Sequence, residues 1–133
     1  GNGTPAARGP KRRNSALMSF YILEKLIDGV IVLDLRGRLT LGEETEALRT
    51  RVRQLVESGY TQIILNLENV SYIDSVGLST LVSTYTTTRR EGGDMKLLNL
   101  TKRVHDLLQI TRLSTVFEIY DSLEDAQRSF NPP

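Results

Sequence analysis

Asp74 and Ser75 stand where a strand-like run gives way to a helix-like one, and the chemistry of this chain is best sought there. Ile63-Ile64-Leu65-Asn66-Leu67 has the apolar character of a strand, and Leu78, Leu81, Val82 and Tyr85 fall on one face of a following helix. The segment Val70-Ser71-Tyr72-Ile73-Asp74-Ser75-Val76-Gly77-Leu78 joins them through a short turn. A hydroxyl at a helix entrance lies beside free backbone N–H groups and the positive end of the helix dipole. Such a place suits a phosphate. A phosphoryl group on Ser75 would add about −1.5 to −2 charge, which the dipole favours and the Asp74 carboxylate opposes. A simpler reading makes the pair an N-cap, contributing about 1 kcal/mol. Spacing alone leaves both open.

Hydrolytic chemistry fits Ser75 poorly. A nucleophile elbow needs glycine two residues before and two after the serine; Gly77 meets the second condition and Ile73 fails the first. His105 is the only histidine, and it falls in a polar break of a helical pattern, which reads as surface. No phosphate-binding glycine loop or dinucleotide turn occurs, so no cofactor is expected. Glu43, Glu44 and Glu46 read as a solvated first helical turn complementing a dipole, not as metal ligands. The expectation is a protein that is not an enzyme.

The elements that must position the turn are legible from punctuation and period. Phe20–Leu26 predicts a first strand, Asp28-Gly29 a type I′ hairpin, and Val30–Leu35 a second strand closed by Gly37. A helix opens at Glu43-Glu44, carries Leu48, Val52, Leu55 and Val56 on one face, and stops at Ser58-Gly59. The third strand is expected over Gln62–Leu67. The second helix should run from about Ser75 through Arg89-Arg90 to Gly92-Gly93. A fourth strand is expected over Met95–Leu100, and a short helix capped by Asn99 or Thr101 should turn Val104, Leu107 and Leu108 inward. Val116–Tyr120 reads as a last strand. A last helix begins at Asp121-Ser122, with Leu123, Ala126, Gln127 and Phe130 on one side. The order β-β-α-β-α-β-α-β-α predicts a single α/β domain over residues 20–130, a mixed, mostly parallel sheet with packed helices.

Composition narrows the setting. The net charge is +1 with no cysteine, which excludes disulfides and fits a cytoplasmic protein. Arg8, Lys11, Arg12 and Arg13 give residues 1–19 a charge of +4, so the rest carries +1 − 4 = −3. Residues 1–19, rich in Gly and Pro and lacking periodicity, read as a disordered basic tail. Lys11-Arg12-Arg13 is a weak signal for nucleic acid or anionic lipid, and neither is taken as a partner. No apolar run approaches the roughly 20 residues that span a bilayer.

Ile64-Leu65-Asn66-Leu67-Glu68-Asn69-Val70-Ser71-Tyr72-Ile73-Asp74-Ser75-Val76-Gly77-Leu78 closely resembles the core motif of the STAS family, named for sulphate transporters and anti-sigma factor antagonists. Gly37-x-Leu39, Gly92-Gly93 and Val116-Phe117 fit the same pattern, and the likeness covers about residues 20–130. The resemblance implies an anti-sigma factor antagonist that binds an anti-sigma factor serine/threonine kinase. That kinase phosphorylates the serine after the motif's aspartate, here Ser75, and so breaks the complex; a serine phosphatase restores it. Carried onto this chain, the contact would centre on Asp74, Ser75, Val76, Gly77 and Leu78, with Gly77 allowing close approach and Arg38, Leu39 and Thr40 at the rim. A monomer or weak dimer is expected, with no direct nucleic acid contact. Two positions depart from the pattern. Val76 stands where many members have a second hydroxyl, and Arg38 and Thr40 stand where many have acids, which suits a differently charged partner. The alternative implied by the resemblance is a scaffold without the switch, or a module sensing a nucleotide or lipid.

Overall fold

In a computed structural model of the protein, residues 20–131 are described; the expected basic tail, residues 1–19, lies outside them. Two strands come first, β1 (Phe20–Ile27) and β2 (Val30–Leu39), then α1 (Glu43–Glu57), β3 (Gln62–Ile73) and α2 (Ser75–Arg90). β4 (Asp94–Leu98), α3 (Lys102–Ile110), β5 (Ile119–Tyr120) and α4 (Leu123–Phe130) complete the chain. The five strands lie in sequence order across one sheet. β1 and β2 are antiparallel, and every later pairing is parallel. This is the α/β order and sheet type expected from the sequence.

Strand alternation divides the apolar residues between two faces. Ile31, Leu33, Leu35, Ile63, Leu65, Met95 and Leu97 point one way, into a core closed by Leu48 and Val52 of α1, Leu81 of α2 and Val104 and Leu108 of α3. Val30, Val32, Ile64 and Leu98 point the other way, where Ala126, Leu123 and Phe130 of α4 pack on them together with Ile27 and Tyr120. Each fully buried leucine contributes about 1.5–3 kcal/mol relative to exposure, so the three-helix face anchors the sheet. The buried Lys96 pins α4, its Nζ donating to Ser129 Oγ at 2.7 Å and lying 4.3 Å from the Phe130 ring centroid.

Several boundaries differ from the sequence reading, for physical reasons. Gly37 does not close β2. It sits at a register shift, and the strand continues to Leu39, which is fully buried. β3 runs six residues past Leu67, because Val70 and Ile73 also enter the core and pair against β2. β4 stops at Leu98, and β5 shrinks to Ile119–Tyr120. A 3-10 turn over Leu113–Thr115 precedes β5, and Phe117 turns into the core to meet Tyr85 edge to face at 5.2 Å.

Candidate functional site

The lengthened β2 and β3 end side by side, with Arg38 paired to Tyr72 and Leu39 to Ile73. Asp74 therefore emerges next to the segment that leaves β2, and it ties the two together. Its backbone N–H donates to Leu39 O at 3.3 Å, and its carboxylate accepts from the Leu41 N–H at 2.9 Å. The other carboxylate oxygen accepts from the Gly77 N–H at 2.8 Å, capping α2. These backbone donors, Leu41 first and Gly77 next, hold the Asp74 carboxyl below the usual aspartate range.

Asp74 is thus the cap, and Ser75 is not. Ser75 is the first helical residue, exposed to solvent, with no side-chain hydrogen bond among the described residues. The first turn of α2 holds no acid beyond the cap, and Leu78 N–H already reaches back to Asp74 O. Thr80 steadies this turn by donating to Val76 O at 2.8 Å, while Arg49 of α1 donates to Thr80 Oγ1 at 3.2 Å and to Ser83 Oγ at 2.9 Å.

The residues expected at a contact divide into those that can touch a visitor and those that cannot. Ser75 and Arg38 are exposed, and Asp74, Val76 and Thr40 are half-buried. Leu39 and Leu78 are core residues, so their side chains hold the turn in place and do not present themselves outward. Gly77 is also buried, and its close approach is internal. A Cβ there would collide with the Leu39 carbonyl oxygen and come within 2.8 Å of Ile73 Cγ1. The close approach that Gly77 allows within this fold is that of β2.

Other neighbours were not evident in the sequence. Arg38 lies 4.6 Å and Arg103 5.5 Å from the Tyr72 ring centroid, so one aromatic ring gathers two guanidinium groups. Beside it runs a groove lined by Ile73, Lys102, Leu107 and Ile110. Ile110 is 80% exposed and Leu41, at the other side of the turn, 72%. Lys102 and Arg103 open α3, and only the parallel order of β3 and β4 brings that helix next to Tyr72. His105 is exposed on α3, its ring near Asp106.

A five-stranded mixed sheet with a capped serine turn at the end of its central strand defines a class that comparison with known proteins names. The model of the STAS domain family matches residues 21–126, and the chain belongs to that family. Over 72 residues it is 38% identical to the anti-sigma-B factor antagonist of Bacillus subtilis (strain 168), a stretch making up 54% of this chain and 65% of that protein. It is 27% identical over 95 residues to the anti-sigma F factor antagonist of Paenibacillus polymyxa, covering 71% and 80% of the two chains. The crystal structure of an anti-sigma factor antagonist from Mycobacterium paratuberculosis superposes with a TM-score of 0.72 at 26% identity, over 84% of this chain and 94% of that one. No helix among the described residues is long and apolar enough to cross a membrane.

Proposed function

We propose that this chain is an anti-sigma factor antagonist, a non-enzymatic regulatory protein of the cytoplasm. It binds an anti-sigma factor that is also a serine kinase, and it is released when that kinase phosphorylates Ser75. One observation carries the reading: Asp74 takes the capping duty, which leaves the Ser75 hydroxyl exposed and uncommitted at a helix start. A phosphate there gains from the dipole and disturbs no bond that holds the fold. A partner seated over the same turn meets a hydrated dianion instead of a hydroxyl, and a mismatched charge at an interface costs several kcal/mol. The protein changes little and the complex changes much. A serine phosphatase reverses the switch.

The surface around Ser75 also indicates partner chemistry. Arg38 and Arg103 form no ion pair among the described residues, so the rim is basic and favours an acidic partner face. The cognate kinase, purified and supplied with ATP, is expected to modify Ser75, as read by mass spectrometry. Ser75→Ala should bind as tightly as wild type and resist modification. Ser75→Glu should bind at least tenfold more weakly while unfolding at the same temperature. An unmodified Ser75 with unchanged binding in both variants refutes the switch.

A further inference from the structure

β1 is the outer strand of the sheet, paired with β2 on one side and with no strand among the described residues on the other. We propose that two copies of the chain join along this edge, β1 against β1, antiparallel about a two-fold axis centred on Leu23. The reading is independent of the Ser75 switch.

The hairpin fixes which backbone groups are free. Asp28 and Gly29 have φ of 50° and 82°, as a two-residue turn with left-handed central residues requires. In such a turn the carbonyl of Ile27 faces the N–H of Val30, so the backbone groups of Ile27 are spent on β2. Alternation then turns the N–H and C=O groups of Phe20, Ile22, Glu24 and Leu26 outward, to the open edge.

Symmetry and charge choose the register. A two-fold axis through an antiparallel pair stands perpendicular to the sheet, so opposed residues lie on the same face. Centring on Glu24 sets two carboxylates opposite each other, and centring on Lys25 sets two ammonium groups opposite; both are unfavourable. Centring on Ile22 leaves Leu26 uncovered. Centring on Leu23 opposes no like charges and uses nearly the whole strand. Ile22 then bonds to Glu24 of the second copy and Phe20 to Leu26. On the other face Leu23 meets its own copy, and Lys25 lies over the Tyr21 ring.

The side chains suit that arrangement. Tyr21, Leu23 and Leu26 are 42%, 48% and 53% exposed, an apolar load that edge strands ordinarily avoid. Glu24, the one acid on the strand, is drawn away toward α1 by two 2.7 Å bonds from Arg51. The edge therefore lacks the free central acid that would discourage pairing. Because Phe20 lies beside Gly37, at the end of the sheet where the serine turn sits, the axis sends the second Ser75 to the opposite end. The dimer would offer two turns facing apart, able to engage two partners at once.

The absence of cysteine makes the test direct. In Leu23→Cys the two sulfurs would lie across a non-hydrogen-bonded pair, with Cα atoms about 4.5 Å apart, within disulfide range. Mild oxidation should cross-link Leu23→Cys far more completely than Ile110→Cys, a more exposed position away from the edge. Sedimentation equilibrium of the unmodified chain should show a concentration-dependent dimer. Leu23→Lys should weaken it at least tenfold while leaving the circular dichroism unchanged, and the melting temperature unchanged at concentrations too low for the dimer to form. A monomer at every concentration overturns the proposal. So does a dimer indifferent to Leu23→Lys, or cross-linking no better at position 23 than at position 110.

Discussion

The starts of α1 and α2 solve the same electrostatic problem in opposite ways. α1 opens after Gly42, which provides no side-chain cap, and fills its first turn with Glu43, Glu44 and Glu46. α2 opens on a side-chain cap, Asp74, and has no acid in its first turn. Both arrangements complement a helix dipole. They differ in what remains available. A further negative charge at α1 would meet glutamates already in place, whereas at α2 it would meet a serine, free N–H groups and one carboxylate already bound to Leu41 and Gly77. Capping by a neighbour is what keeps a helix start open for modification.

The sharpest way to break this contrast is to lift the α2 start off β2. Gly77→Ala adds a methyl group against the Leu39 carbonyl oxygen. The variant should lose about 2 kcal/mol or more of stability by overpacking, even though alanine favours the helix by roughly 1 kcal/mol. Denaturant unfolding measures it, and an unchanged midpoint would show that the packing has room to give.

Removing the cap comes next. Asp74→Ala should cost about 1–2 kcal/mol at neutral pH, because it forfeits both the helix cap and the bond to Leu41. The folded-state carboxyl titrates below its unfolded value of about 3.9, so the stabilisation is complete above that value. It drains away as pH falls through the lower folded-state pKa. The gap between wild type and variant should therefore narrow in acid; a gap that stays constant down to about pH 2 would mean the carboxylate's charge contributes nothing.

The smallest effect belongs to α1. Glu43→Gln removes one of three first-turn acids and should cost roughly 0.3–1 kcal/mol, less at high salt. Were it to cost more than Asp74→Ala, the two helix starts would not divide their work as argued.

The serine turn was legible because it depends on local rules. A strand pattern, an Asp-Ser pair and a helical stripe at Leu78, Leu81 and Val82 are neighbours in the chain, and each obeys its own period. The rim was only partly legible. Arg38, Leu39 and Thr40 were expected together at the rim, and of the three the Leu39 side chain is fully buried. That burial was hidden by ending β2 at Gly37, where a bulge bends the strand without stopping it. Arg103 and Ile110 were missed because nothing within α3 says which strand end the helix will adjoin.

Residue order by itself determined the succession of elements, the hairpin at Asp28-Gly29 and the presence of a serine at the mouth of the second helix. These follow from backbone preference and hydrophobic period, which act over a few residues. Tertiary structure alone decided that Asp74 rather than Ser75 is spent on capping, that Gly77 faces β2, and that two arginines from distant segments share one tyrosine ring. Those outcomes turn on which strand ends lie side by side, and strand neighbours are chosen by burial across the whole sheet.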